Sequence, residues 1–440
     1  MSRKRSWVLA LFFIPMFATA SETVTLTLEN AVILALEQSI NLKKNSIDLA
    51  QTGYSANRLW SEIFPGFSIS AGLTFLPSTP LVTGPGFQYR DDALSYSLNF
   101  GLSLSLNPSF YSSMKRIELA YRSQLLSYEN ASKQLEIQVI KNFLGLITMK
   151  ANISHMQESL DLAIQKMNSD RIARANGVIS ELVWLNSQLS AETARYNLSN
   201  AQGLYQNALG EFLALLGMQP GSDIIFDGTV EIAPVHLDPE QLIIEYLPKR
   251  PDIVSQRQTI ERLELTKNIT THSSRSPTLS LSTQWRGTPE SGGLNAPLTD
   301  SLSGSLTLTV PIDSWIPGTR QNQSVRSAGT ELEKARLDLQ NTETQAKTQI
   351  RTLVMNLRNT WENLGIARMR VDVATRTVEA TNHGFRNGTV EFRELEDRRN
   401  DLGDARQRLL SSELNYQSLL LDLAAALNVE WKSLTGLIRS

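Results

Sequence analysis

Glu394 and Asp397 lie three residues apart in "EFRELEDRRN" (391–400), so on a helix they share one face. Glu391 and Glu396 stand beside them, interleaved with Arg393, Arg398 and Arg399. Two kinds of chemistry fit. The acids can be a solvated face paired with those arginines. They can instead concentrate negative charge on one helix face, which attracts cations, because opposite charges attract. Catalysis has less to stand on. The four histidines, His155, His236, His272 and His383, are scattered, and no metal-ligand cluster, phosphate loop or nucleophile motif occurs. The pattern implies no enzyme, no metal and no cofactor.

The acids follow a turn that the chain uses twice. "RANGVISEL" (174–182) and "FRNGTVEFREL" (385–395) place Gly177 and Gly388 211 positions apart. Asn-Gly suits a tight reversal between antiparallel helices, where a residue must adopt positive φ. The exposed turn residues would be Arg174, Asn176, Gly177, Ser180 and Glu181 in the first copy. Arg386, Asn387, Gly388 and Thr389 are those of the second. A plain connector is the other reading of both turns.

Long helices must carry these turns. From Tyr121 to Met167 the apolar positions step by threes and fours, with Ser132 and Asn142 filling two gaps, the rhythm of a coiled-coil seam. Stretches from about Ser112 to Arg174 and Gly318 to Phe385 contain no internal proline, so each predicts a helix roughly 95–100 Å long. The 211-residue offset recurs between "LTLENA" (26–31) and "LDPEQL" (237–242), and between "SINL" (39–42) and "RPDI" (250–253). The chain therefore reads as two tandem copies of one unit. Repeat 1 spans 21–220 with a β-hairpin at 67–106. An equatorial linker at 221–236 follows. Repeat 2 spans 237–430 with a β-hairpin at 277–310, and a tail at 431–440 ends the chain.

The strands supply the second surface. In "YSLNFGLSLSLNP" (96–108), Leu98, Phe100, Leu102 and Leu104 alternate with Asn99, Gly101 and Ser103. One face is apolar and the other small and polar. A run of about eleven residues suits a tilted strand that crosses a bilayer. Phe67 to Phe75, Leu279 to Trp285 and Leu302 to Val310 alternate in the same way. Pro65, Pro108, Pro277 and Pro311 mark the four helix–strand junctions. Trp60, Phe64, Phe67, Phe110, Tyr111 and Trp315 cluster towards one end of the strands. Phe75, Phe87, Tyr89, Tyr96 and Trp285 cluster towards the other, as interfacial girdles would.

The first 20 residues give an address. Arg3, Lys4 and Arg5 precede a short apolar run and Ala18-Thr19-Ala20, the pattern of a cleaved secretory signal peptide. Its loss takes the formal net charge of −2 to about −5, which argues against nucleic acid as a partner. There is no cysteine, so disulfides and a thiol-linked lipid anchor are excluded. No later segment approaches about 18 uninterrupted apolar residues, so no helical span is expected. Four strands cannot close a barrel, and an open edge in lipid costs several kcal/mol per unsatisfied group. Several chains must combine, and three would give twelve strands.

The signal peptide, the duplicated helix–hairpin–helix–helix unit, both Asn-Gly turns and "VPIDSWIPG" (310–318) together resemble the TolC-type outer-membrane efflux factors. The resemblance covers nearly the whole mature chain. It implies a membrane α+β fold: a homotrimeric 12-stranded outer-membrane barrel continuous with a long α-helical periplasmic tunnel. It implies that the two turns are periplasmic tips that meet an adaptor (membrane fusion) protein, which links the tunnel to an inner-membrane pump. It also implies that Glu394 and Asp397 face the tunnel near its mouth, where threefold symmetry makes each a ring of carboxylates that selects cations. Two departures stand out: family members carry a basic gate residue where this chain has Val390, and a matching acid where it has Val183. The expected function is the exit duct of a tripartite pump for drugs or other small molecules. Alternatives are the duct of a type I protein secretion system or, from another class, a periplasmic coiled-coil scaffold without a channel.

Overall fold

The computed structural model describes residues 24–76, 80–83, 86–89, 93–218, 224–227, 233–234, 237–289 and 298–430. The expected signal peptide, the tail and much of the linker lie outside the described residues.

The first half runs β1 (Val24–Thr27), α1 (Leu28–Gln38), α2 (Ile40–Ala56), β2 (Gly66–Leu76), β3 (Pro80–Thr83), β4 (Gly86–Tyr89), β5 (Ala93–Leu106), α3 (Ser109–Ala175) and α4 (Glu181–Leu215). After β6 (Ile224–Asp227), the second half runs α5 (Pro239–Tyr246), α6 (Pro251–Arg275), β7 (Thr278–Pro289), β8 (Leu298–Thr309), α7 (Arg320–Arg386) and α8 (Phe392–Leu427). Helices α3 and α7 have 67 residues each. At 1.5 Å per residue each is about 100 Å long. Proline-free interiors permit this length, and the ends are specified locally. Pro108 stands just before α3, where its missing N–H costs nothing. The Thr319 hydroxyl accepts the Asn322 N–H at 3.3 Å and caps α7.

β2, β5, β7 and β8 form one antiparallel sheet in that order. Its register puts Phe67 opposite Leu102, Ile69 opposite Phe100, Leu104 opposite Leu281 and Leu281 opposite Leu306. Ser103 opposite Ser282, and Ser282 opposite Ser305, line the other face. The apolar face is uncovered: Phe67 is 72%, Ile69 72% and Leu302 74% exposed. β3 and β4 pair as a small hairpin between β2 and β5. The side chains of Phe87 and Tyr89 lie outside the described residues.

Two apolar cores hold the helices, one centred in the first half with Leu421 of α8 added, the other in the second. The first joins α1, α3 and α4 to the parallel pair β1–β6, around Phe143, Phe212 and Phe226. Phe143 and Phe226 meet edge to face at 5.3 Å, a favoured aromatic geometry. The second packs Leu242, Ile350, Leu357, Tyr416 and Leu423 from α5, α7 and α8. The long helices pair as hairpins, α3 with α4 and α7 with α8, and α3 also lies against α2, α6 and α8. This change of partners explains a departure from the uniform seam. Leu125 and Met149, on the seam, are exposed, while Ile140 and Phe143, off it, are fully buried.

Candidate functional site

Both turns are built alike. α3 ends at Asn176 (φ −87°) and α7 at Asn387 (φ −88°). Gly177 (φ 74°) and Gly388 (φ 71°) then take the left-handed conformation. The Gly177 N–H donates to Arg174 O at 2.9 Å and the Val178 N–H to Ala173 O at 2.9 Å. In the second copy Gly388 donates to Phe385 O at 3.0 Å and Thr389 to Gly384 O at 2.9 Å. These are the paired bonds of a Schellman motif, which satisfy the last helix carbonyls. Ser180 and Glu391 are extended and start the return helices. Only the glycines use positive φ; the asparagines do not.

The side chains that bridge the two turns differ. Arg174 meets Glu181 at 3.6 Å and lies 4.5 Å over the Trp184 ring. The positions 211 further on hold Phe385 and Phe392, whose ring centroids are 5.7 Å apart. One tip is closed by an ion pair and the other by an aromatic pair. The sequence reading chose polar tip residues, but Val178 (75%) and Leu182 (67%) are among the more exposed apolar side chains. The Thr389 hydroxyl bonds Gly384 O at 3.0 Å. Val390, in place of a basic residue, seats its methyl only 2.6 Å from where a Cβ on Gly384 would lie.

The acids beyond the second tip separate into two environments. Glu394 and Asp397 are exposed on α8. Glu394 approaches Arg398 at 3.9 Å, and Arg398 also binds Asp401 at 3.2 Å. Glu396, which the sequence did not single out, is buried and accepts from Lys166 Nζ of α3 at 2.8 Å. It ties the second hairpin to the first. Lys166 and Glu396 line a groove of mixed polar and apolar residues between the hairpins, together with Asn152, His155, Asp397 and Arg399. Lys166→Met should strand the buried carboxylate. A buried polar group without its partner costs about 1–3 kcal/mol. A lower melting temperature is expected in detergent, largely regained when Glu396→Leu is added. Unchanged melting of Lys166→Met would show that the pair ties nothing.

On the sheet, Leu98 faces Ala71 and Gly287, and Leu102 faces Phe67 and Thr283. Leu104 sits opposite Leu281, and Phe100 stacks on Trp285 at 5.3 Å. The opposite face carries a polar network in which Asn99 Oδ1 accepts from Arg286 Nε at 3.0 Å. No group of three or more metal-ligating side chains occurs among the described residues. No helix of those residues is long and apolar enough to cross a membrane.

The model of the outer membrane efflux protein family matches residues 32–218 and 242–429. The chain belongs to this family. The two matches coincide with the two halves that repeat one order of elements. Among solved structures, the Campylobacter jejuni CmeC outer membrane channel superposes with a TM-score of 0.74. It is 17% identical over 94% of this chain and 89% of that one. The Vibrio cholerae outer membrane protein VceC gives 0.69 at 16% identity, over 92% and 96%. The Neisseria gonorrhoeae MtrE channel, in its open state, gives 0.70 at 15% identity, over 91% and 89%. Among curated protein sequences none matches the chain.

An outer membrane efflux protein is a channel and not an enzyme, as the absence of a catalytic motif in the sequence implied. In this member of the family the first hairpin has exposed Val183 at the position equivalent to Glu394.

Proposed function

We propose that three copies of this chain form one twelve-stranded barrel in the outer membrane, continued into the periplasm by a tunnel of the long helices. The observation that carries this reading is a four-stranded sheet with an uncovered apolar face and two open edges, β2 and β8. These edge strands run in opposite directions, so β8 of one copy can pair antiparallel with β2 of the next. Closure removes the unsatisfied edges that lipid does not tolerate. In this reading residues 1–20 are cleaved, and 21–220 and 237–430 are two repeats joined by 221–236. The tips, from Arg174 to Glu181 and from Arg386 to Thr389, meet a periplasmic adaptor that links the duct to an inner-membrane pump. Exposed Val178 and Leu182 give that contact an apolar centre. The cargo is drugs or other small molecules. Light scattering of the protein in detergent should give three times the mature mass; a monodisperse monomer overturns the barrel.

Glu394 and Asp397 then form carboxylate rings near the tunnel mouth, about six charges around one opening. A multivalent cation added on the periplasmic side should block single-channel current in planar bilayers. Glu394→Ala with Asp397→Ala should abolish the block and lower cation preference, with trimer stability unchanged. A double variant blocked as strongly as the parent would leave these acids as partners of the neighbouring arginines.

A further inference from the structure

The antiparallel order brings the start of β2, the end of β5, the start of β7 and the end of β8 to one edge of the sheet. All four helix–strand junctions therefore sit at one height, and cations stacked on aromatic rings recur there. The Arg58 guanidinium lies 3.6 Å from the Tyr54 ring centroid, and Lys115 Nζ lies 4.7 Å from that of Tyr111. Arg275, at the end of α6, lies 5.2 Å from the Trp315 ring, which follows β8. Among the described residues none of these three cations is in an ion pair. Some cations along the helices are paired with acids, Arg336 with Glu264 and Glu333 and Arg351 with Glu240, and three further cation–ring pairs lie away from the junctions, on Trp184, Tyr246 and Trp361. The nearby acid Glu118 is taken by Arg122. Glu261, also near Lys115, makes no ion pair with it. Among the described residues Arg275 Nε is buried without a hydrogen-bond partner.

The apolar sheet face also ends here in exposed rings. Phe67 leads to Phe64 at 6.0 Å and from there to Trp60 at 5.2 Å. Aromatic rings of this kind settle at headgroup level. A guanidinium at that level is matched to the oxygens of a phosphate by its planar fork of donors. We propose that Arg58, Lys115 and Arg275, with their aromatic partners, form a collar that binds the phosphates of anionic phospholipids in the leaflet facing the helices. The collar rests on the barrel reading, since it needs the apolar face in lipid. It fixes the height of the barrel and favours anionic over zwitterionic headgroups.

The test uses the full-length protein, inserted in nanodiscs of equimolar phosphatidylglycerol and phosphatidylcholine, with retained lipid read by native mass spectrometry. The parent should retain phosphatidylglycerol preferentially. Attraction of one basic residue to an anionic surface corresponds to about fivefold per cation. Arg58→Gln, Lys115→Gln and Arg275→Gln together should bring retention to parity. Arg358→Gln, on an exposed stretch of α7, should keep the preference. If the triple variant does not assemble, the three single variants are read instead, each expected to lose part of the preference. Parent-like preference in all of them overturns the collar. So does displacement of the lipid by inorganic phosphate, which would mark a site for a soluble anion. A parent that conducts but shows no preference overturns the collar alone, whereas a parent that fails to insert overturns the barrel reading with it.

Discussion

Leu102→Arg is expected to deplete the trimer from the outer membrane, while Ser103→Arg leaves it in place. The two residues are neighbours on β5 and point to opposite faces. Leu102 stands between Phe67 and Thr283 on the uncovered apolar face. Ser103 stands between Gly66 and Ser282 on the small polar face. An arginine facing lipid costs about 2–4 kcal/mol at the midplane of a barrel and about 0–1 kcal/mol at its edges, and Leu102, opposite Phe67, lies towards the edge near the helices. A trimer carries three such arginines, so the penalties add. An arginine at 103 enters the space inside the barrel and stays hydrated. Outer-membrane fractions probed for heat-modifiable trimer read both outcomes. Equal assembly of the two variants would mean that the facing is wrong or that the sheet does not meet lipid.

The strand faces were legible because a period of two needs only the strand itself. Serine on one side, with leucine and phenylalanine mostly on the other, favours one register. The long helices were legible for a similar local reason, the absence of proline between Pro108 and Ala175. What the sequence concealed is non-local. Val24 pairs with Ile224 in a parallel ladder of four residues a side, too short to carry a pattern. Glu396 looks like its neighbours until α3 is laid beside α8, because Lys166 is 230 positions away in the chain. The uniform seam fails along α3 for the same reason: a helix that packs against α1, α2, α4, α6 and α8 turns more than one face inward. The turns lie between these cases. The 211-residue offset alone identifies Arg174 and Glu181 as equivalent to Phe385 and Phe392. It cannot say that each pair closes its own tip.

Gly177→Pro and Gly388→Pro are expected to leave trimers in the outer membrane and abolish export. At both positions proline fails twice. Its ring fixes φ near −65°, and it has no N–H. The native φ values are 74° and 71°, and both N–H groups donate to the preceding turn, to Arg174 O and Phe385 O. The turn must therefore rebuild, and Val178, Leu182 and the Phe385–Phe392 pair move with it. The damage stays local, because the tips lie at the far end of helices about 100 Å long. Alanine separates strain from bulk. No atom lies within 4 Å of a Cβ built on either glycine, so Gly→Ala adds no clash. Its cost is the left-handed backbone alone, about 1–2 kcal/mol. Alanine variants should thus assemble normally and export at a reduced rate, and proline variants should assemble and not export. Abundance of trimer and efflux of a fluorescent substrate, measured in the same cells, read both. Normal efflux by the proline variants at normal abundance would remove these turns as the surface that an adaptor meets.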